Sequence, residues 1–102
     1  MVHKYQGPFL YNDEVISSWN SNAIGVYYCG YLNSREVLIT LYVGKGAGEG
    51  GIRNRLLEHL RNEYWPDVTH FGYCVCDTKE DANNFEAVEI ARLKPKYNVQ
   101  GK

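Results

Sequence analysis

The stretch that decides the fold is residues 25–44, GVYYCGYLNSREVLITLYVG, because it holds two strand-like runs joined by a short polar turn. Ile24 to Tyr31 and Val37 to Val43 are rich in β-branched, leucine and tyrosine residues, and such runs favour strands. Asn33 and Ser34 between them are typical turn residues. Two strands joined by so short a turn are expected to pair as an antiparallel hairpin.

The chain after the hairpin continues with alternating helix and strand signals. Gly44 to Gly51 is glycine-rich and predicts a loop. Ile52 to Asn62 has apolar residues at helical spacing, and Phe71 to Cys76 predicts a third strand. A second long helix is expected over Lys79 to Leu93, capped by Thr78 and closed by Pro95. The apolar face of the first of these helices consists of Ile52, Leu56, Leu57 and Leu60.

The N-terminal part and the length complete the expected architecture. Asn12 or Asp13 is a suitable cap for a short helix ending at Trp19. A chain of 102 residues makes one domain. The order of elements predicts an α+β domain whose central three-stranded sheet contains the antiparallel hairpin and is flanked by helices.

Composition places the chain with globular proteins of the cytoplasm. Three cysteines and no secretory signal indicate reduced thiols in a cytoplasmic protein. No stretch approaches the roughly 20 apolar residues of a membrane helix, so we expect no membrane partner. Cys74 and Cys76 share a strand face and could bind zinc with Cys29 or His70. Their spacing is not that of a zinc finger or ribbon, and buried thiols are the favoured interpretation.

The net charge of −1 argues mildly against a nucleic-acid partner, because phosphate-binding proteins usually carry a basic surplus. The basic residues are nevertheless gathered in two stretches, and many of the acids lie between Asp77 and Glu89. A basic face could therefore form on a nearly neutral protein. The two stretches contain Lys45, Arg53, Arg55 and Arg61, and then Arg92, Lys94, Lys96 and Lys102.

Two tyrosines of the hairpin are candidates for chemistry. Strand alternation places Tyr27 on one face with Cys29, and it places Tyr42 on one face with Thr40. If the two faces coincide, two phenols lie on the same side of the hairpin. The alternative is that these tyrosines simply pack, as strand tyrosines commonly do.

The first long helix offers an arginine and a histidine on one face. Arg55 and His59 are four residues apart, so their side chains are neighbours on the helix surface. The planar guanidinium of Arg55 suits the oxygens of a phosphate. The alternative is an ordinary solvated helix face.

The second long helix carries two glutamates within a stripe that should be apolar. A carboxylate facing a core is costly unless it is paired or bound to a metal, and such a violation is typical of functional sites. The alternative is a rotated helix that buries Ala87, Val88 and Ala91 instead. The stripe consists of Ala82, Phe85, Glu86, Glu89, Ile90 and Leu93.

The glycine-rich loop contains G-x-G-x-x-G over residues 46–51, which is the pattern of a dinucleotide-binding turn. That interpretation requires a parallel sheet, whereas the preceding strand belongs to a hairpin. A nucleotide-cofactor enzyme is therefore a weak alternative, which a parallel sheet would support.

Taken together, these residues resemble the GIY-YIG nuclease family, and the resemblance covers residues 25–98. Five elements occur in the order that the family has, with valine for isoleucine in both signature tripeptides. The elements are Gly25-Val26-Tyr27, Tyr42-Val43-Gly44 followed by Lys45, Arg55 with His59, Glu86, and Pro95-Lys96-Tyr97-Asn98.

The resemblance implies a metal-dependent endonuclease that hydrolyses phosphodiester bonds in DNA. Glu86 would bind one divalent cation, Mg²⁺ or Mn²⁺, and Arg55 would stabilise the charge on the phosphate. Tyr27 would act as general base or orient the water, with His59 as its rival or as a proton relay. Tyr42 would position water or phosphate.

The remaining residues of the resemblance have supporting roles. Lys45 and Arg53 would contact the substrate, and Asn98 would fix the site geometry or bind phosphate. Arg53 is also an alternative to Arg55 as the catalytic arginine, as Glu89 is to Glu86. Oligomeric state and cleavage specificity are left open by these residues.

A second function class is a binding module of the same fold that holds nucleic acid or a partner protein without cutting. The observation that separates the two classes is spatial. If Tyr27, Arg55 and Glu86 converge on one cleft, the nuclease is favoured, whereas wide separation favours the binding module.

Overall fold

The computed structural model describes residues 1–62 and 65–100, apart from the side chains of residues 99 and 100. Lys102 of the second basic stretch lies outside this part. The fold is α+β, as expected, with helices packed on one antiparallel sheet. The elements are β1 (Gln6–Leu10), α1 (Asp13–Ser18), β2 (Gly25–Leu32), β3 (Leu38–Gly46), α2 (Gly51–Asn62), β4 (His70–Val75), α3 (Lys79–Leu93) and α4 (Lys96–Gln100).

The sheet has four strands in the order β1-β4-β2-β3, so the expectation of three strands is wrong. The additional strand, β1, pairs with β4 and lies at one edge. Gly7 and Pro8 are residues that do not predict a strand. An edge strand nevertheless tolerates proline, because one of its two sides forms no hydrogen bonds with a neighbouring strand. The register of the pairing between β1 and β4 shifts between Gln6 and Phe9, and this irregularity accommodates Gly7 and Pro8. Every residue of β1 is exposed, so no alternating apolar pattern marks it.

The hairpin of β2 and β3 forms as expected, and β3 runs further than the sequence indicates. Gly44, Lys45 and Gly46 pair with the start of β2 instead of belonging to the loop. Glycine has a low intrinsic preference for strands. Here the backbone hydrogen bonds to β2 keep these residues in the strand. The loop before α2 is consequently short.

Two groups of side chains form the core, one on each face of the sheet. Tyr27 and Cys29 of β2 point to the face covered by α1 and α2, where Ile16 and Ile52 also lie. The alternate residues of the strand, such as Val26, point to the face covered by α3. The alternation of strand side chains thus decides which helix each β2 residue meets.

All recorded strand pairings are antiparallel. This overturns the dinucleotide-binding interpretation of the glycine-rich loop, which requires a parallel sheet. Within the described ranges, no helix has the length and apolar character needed to cross a membrane.

The cap of α3 confirms the role expected for Thr78. Its hydroxyl accepts a hydrogen bond of 3.0 Å from the backbone N–H of Asp81. We expect Thr78→Ala to lower the free energy of unfolding by about 1 kcal/mol, because one N–H group of the first turn loses its partner. Urea denaturation of Thr78→Ser provides the control, since serine keeps the accepting oxygen. Equal losses in both variants would contradict the capping role.

Candidate active site

Tyr27 and His59 form the centre of the candidate site. Tyr27 Oη lies 2.7 Å from His59 Nε2, and the phenol is fully buried. His59 is only 6% exposed, because the face of α2 that carries it is turned toward the sheet. The alternative that Arg55 and His59 lie on an ordinary solvated helix face is therefore wrong for His59.

Tyr42 joins this pair from the neighbouring strand. Its ring centroid lies 6.2 Å from that of Tyr27 and 5.1 Å from that of His59. The two phenols thus share one side of the hairpin, as the sequence allows, because Cys29 pairs directly with Tyr42. Thr40 does not share that side, because a bulge places Leu41 as an extra residue and reverses the alternation.

Gly44 lies against the hydroxyl of Tyr27. A Cβ atom at this position would be 2.5 Å from Tyr27 Oη and 2.8 Å from a ring carbon of Tyr42. Only glycine fits there without moving both rings. This contact gives a physical reason for the glycine in Tyr42-Val43-Gly44.

The structure separates the two candidate arginines. Arg55 Nη2 lies 3.5 Å from His59 Nε2, and Nη1 donates a hydrogen bond of 2.5 Å to Glu58. Arg53 instead donates to the backbone carbonyl of Ser17 in α1. Residues two apart are about 200° apart around a helix, so the two guanidinium groups diverge. Arg55 is at the site and Arg53 is not.

A surface pocket of about 350 Å³ opens beside the Tyr27–His59 pair. Arg55 and His59 contribute the groups expected to act, and Glu58 holds the guanidinium of Arg55 at the pocket wall. The pocket offers the space in which a phosphate could reach Arg55. Its lining consists of Arg55, Glu58, His59 and Asn62.

Charges from two sides converge on the Tyr27 hydroxyl. Burial raises its pKa above the ordinary value, and the neighbouring Tyr42 raises it further. The positive charge of Arg55 opposes this shift, while the carboxylate of Glu86 adds to it. Tyr27 therefore keeps its proton at neutral pH.

The inward stripe of α3 is the one that the sequence predicts. Ala82 and Glu89 are buried on it, with Phe85, Glu86, Ile90 and Leu93 half-buried. The rotated alternative is wrong, because the side that it would bury is exposed. That side carries Ala87, Val88 and Ala91.

The two glutamates of this stripe have different environments. Glu89 is 5% exposed and accepts hydrogen bonds from the Tyr28 hydroxyl at 2.8 Å and from Arg92 Nη2 at 2.7 Å. The bonds from Arg92 hold the pKa of Glu89 below its usual value, although burial acts against them. Glu86 has a side chain that is 24% exposed and lies 3.9 Å from Lys45 Nζ. Glu89 is thus committed to a structural ion pair, and Glu86 is the glutamate available to a ligand.

The donor set of the site fits a hard cation held mainly by the substrate and water. Mg²⁺ commonly uses one or two protein carboxylates together with phosphate oxygens and water, and Glu86 offers one such carboxylate. Across the described residues, no three His, Cys, Asp or Glu side chains are placed to bind a metal together. A zinc site on Cys74 and Cys76 lacks this support, and all three cysteines are buried thiols, as the sequence favours.

Asn98 fastens the edge strand that carries Tyr42. Its Oδ1 accepts a hydrogen bond of 2.7 Å from the backbone N–H of Val43, and its Nδ2 donates one of 2.9 Å to the carbonyl of the same residue. Both ends of the amide are used in this way. The arrangement favours the expected role of Asn98 in fixing the site geometry over direct binding of phosphate.

The expected basic face is weakened by ion pairing. Four cations of the two basic stretches are close to carboxylates, which cancel much of the field of these four. The pairs are Lys45 with Glu86 at 3.9 Å, Arg55 with Glu58 at 2.5 Å, Arg92 with Glu89 at 2.7 Å and Lys96 with Asp67 at 3.7 Å.

Trp65 was not expected near the site, and Tyr97 was expected there only as part of the segment Pro95-Lys96-Tyr97-Asn98. The Trp65 ring centroid lies 4.9 Å from that of His59, and that of Tyr97 lies 5.6 Å from Trp65. No spacing rule joins residues 59, 65 and 97. The only signal in the sequence is the high aromatic content of 14%.

Comparisons of the chain with protein-family models, curated proteins and solved structures give no match. The resemblance to a nuclease family therefore rests on the residues of this chain.

Proposed function

We propose that this chain is a metal-dependent endonuclease of the GIY-YIG type that hydrolyses phosphodiester bonds in DNA. The observation that carries the proposal is the contact of the Tyr27 hydroxyl with His59, with the guanidinium of Arg55 next to the same imidazole. This contact supports a nuclease site for Tyr27 and Arg55. Glu86 lies on α3, which packs on the other face of the sheet, so its presence at the same cleft is part of the proposal.

Arg55 is the group that would stabilise negative charge on the phosphate. Its side chain is 43% exposed at the pocket, so a phosphate could reach it. A guanidinium presents several N–H donors in a plane and suits two non-bridging oxygens at once. A phosphate would compete with Glu58 for these donors.

Tyr27 and His59 would handle the proton of the attacking water together. The raised pKa of Tyr27 makes the phenol a poor base by itself. Since His59 Nε2 lies 2.7 Å away, the imidazole can accept the phenolic proton while Tyr27 takes one from water. The positive charge of Arg55 favours this transfer because it lowers the pKa of the phenol.

Glu86 would hold one divalent cation, Mg²⁺ or Mn²⁺, which would supply charge neutralisation at the phosphate. Lys45, at 3.9 Å from Glu86, would contact the phosphate on the same side. Tyr42 would position water or phosphate, and Asn98 would keep its strand in place through Val43. Arg53 has no role in this scheme because it binds Ser17.

The test is nicking of supercoiled plasmid DNA with Mg²⁺ or Mn²⁺ and with a chelator. We expect nicking only with the metal, and we expect Arg55→Ala to lower its rate by about 10²- to 10³-fold, the usual effect of losing one donor to the transition state. Arg53→Ala is the matched control and should keep the rate of the unmodified protein. Equal rates in the two variants would refute the assignment of Arg55.

The binding module remains a second candidate because of one observation, the complete burial of Tyr27. A catalytic phenol has to meet water, whereas a packed one does not. If the purified protein nicks no plasmid with either metal but still binds DNA, the binding module becomes the preferred function.

A further inference from the structure

A row of aromatic rings leads away from the candidate site. The rings of His59, Trp65 and Tyr97, here called the aromatic row, follow one another with centroid distances of 4.9 Å and 5.6 Å. Tyr42 contacts the row from the side, at 5.0 Å from Trp65. The row therefore begins at the groups that would handle the attacking water.

A positively charged group lies near each end of the aromatic row. Arg55 Nη2 is 3.5 Å from the imidazole of His59 at one end. Lys96 Nζ lies 5.3 Å from the ring centre of Tyr97 at the other. Cations separated by aromatic rings match a nucleic-acid strand, in which phosphates alternate with bases.

The outer part of the row is held in place and is partly open to solvent. Tyr97 Oη donates a hydrogen bond of 2.5 Å to Asp67, which fixes the orientation of the phenol. Trp65 and Tyr97 are nearly parallel, at 10°, and a centroid separation of 5.6 Å means that the rings are offset. Both side chains are half-buried, so part of each remains open to solvent.

The charge of the protein also favours a stacking partner. With a net charge of −1, and with Lys45, Arg55 and Lys96 each near a carboxylate, the general attraction to duplex phosphates is weak. Binding of DNA then needs an interaction whose strength does not depend on the net charge of the protein. Stacking of an unpaired base on an aromatic ring supplies such an interaction.

We propose that the aromatic row binds unpaired bases of single-stranded DNA next to the phosphate that is cut. Bases within a duplex are stacked on each other and cannot use the row. The preferred substrate is therefore a single strand, or the unpaired arm of a branched DNA, and this inference rests on the proposed nuclease function.

The two tryptophans of the chain allow a direct test. Trp65 belongs to the row, whereas Trp19 stacks on Tyr73, with a centroid distance of 4.6 Å. With chelator present to prevent cutting, oligothymidylate should quench the fluorescence of a Trp19→Phe variant, which reports on Trp65. It should leave the fluorescence of Trp65→Phe, which reports on Trp19, unchanged.

Fluorescence anisotropy of a labelled oligonucleotide measures the affinity in the same buffer. Trp65→Ala should bind the single strand about 5- to 100-fold more weakly than the unmodified protein, and Trp19→Phe should bind as before. Trp65→Phe, which keeps a ring, should have an intermediate affinity and separates stacking from loss of fold. A blunt duplex of the same length should bind more weakly than the single strand.

Two results would overturn the aromatic row as a binding surface: equal affinity for duplex and single strand, or unchanged single-strand binding in folded Trp65→Ala. The plasmid assay separates this inference from the nuclease proposal. Metal-dependent nicking without Trp65 quenching overturns the row alone, and Trp65-dependent binding without metal-dependent cleavage of either plasmid or single-stranded DNA supports the row while refuting the nuclease.

Discussion

Replacement of Glu86 by glutamine should lower the rate of metal-dependent nicking by at least about a thousandfold, because a bound cation contributes several kcal/mol of charge stabilisation. Glutamine has nearly the same volume and helix preference as glutamate, so the inward stripe of α3 should pack unchanged. The control is Glu80→Gln, an exposed position in the first turn of the same helix. The nicking rate is measured in Mg²⁺ and in Mn²⁺, with circular dichroism to verify the fold.

Two further observations would decide the role of Glu86. Calorimetric titration with Mn²⁺ in the presence of a short oligonucleotide should give a binding signal that Glu86→Gln lacks and that Glu80→Gln keeps. If Glu86→Gln still nicks plasmid at more than a tenth of the original rate, Glu86 is not the metal ligand.

The largest effect on stability is expected for Arg92→Ala. This arginine gives the buried carboxylate of Glu89 two hydrogen bonds, from Nε at 2.8 Å and from Nη2 at 2.7 Å. Without them, Tyr28 is the remaining donor to a negative charge that is 5% exposed. The free energy of unfolding at pH 7 should fall by about 2 kcal/mol, as for other hydrogen bonds to buried charges.

The pH dependence of this loss follows from the direction of the pKa shift. Arg92 holds the pKa of Glu89 below its ordinary value of 4.5, so the pair contributes its full stability above about pH 4.5 and loses it as the pH falls through the lowered pKa. Urea denaturation at pH 7 should therefore separate Arg92→Ala from the unmodified protein, and the difference should shrink at pH 3.

A double variant gives the control for Arg92→Ala. Glu89→Gln combined with Arg92→Ala has no buried charge and still offers an acceptor to the Tyr28 hydroxyl. It should recover part of the lost stability at pH 7. A double variant that is less stable than Arg92→Ala alone would contradict the view that the uncompensated charge of Glu89 causes the loss.

Much of the fold could be predicted because local patterns and tertiary structure agree over most of the chain. The hairpin, α2 and α3 follow from runs of apolar residues at spacings of two or about 3.6. The first strand could not be predicted, because an exposed edge strand needs no apolar face and its Gly7 and Pro8 are typical of turns. The bulge at Leu41 also has no local signal in the sequence. Because of this bulge, Thr40 lies on the opposite face of the strand from the one that alternation predicts.

The candidate site could be predicted in part, through residues whose spacing has a meaning. The four-residue interval between Arg55 and His59 indicated two groups that the structure brings together beside Tyr27, and the two glutamates in the stripe of α3 are partly or fully buried, as that stripe indicated. Sequence could not distinguish Glu86 from Glu89, because their difference arises from Tyr28 on another element. Trp65 and Tyr97 are brought into contact by the tertiary fold, and their separation in the sequence does not predict this contact.

The hydrogen bond between Asn98 and the backbone of Val43 joins residues that are 55 positions apart, so they are synthesised at different times. Contacts of such long sequence separation form late, because the intervening chain must first be ordered. A growing polypeptide that lacks residue 98 has Tyr27 and Arg55 but leaves the strand of Tyr42 unfastened. If the proposed nuclease function holds, cleavage would therefore need the chain to be made as far as Asn98 of α4.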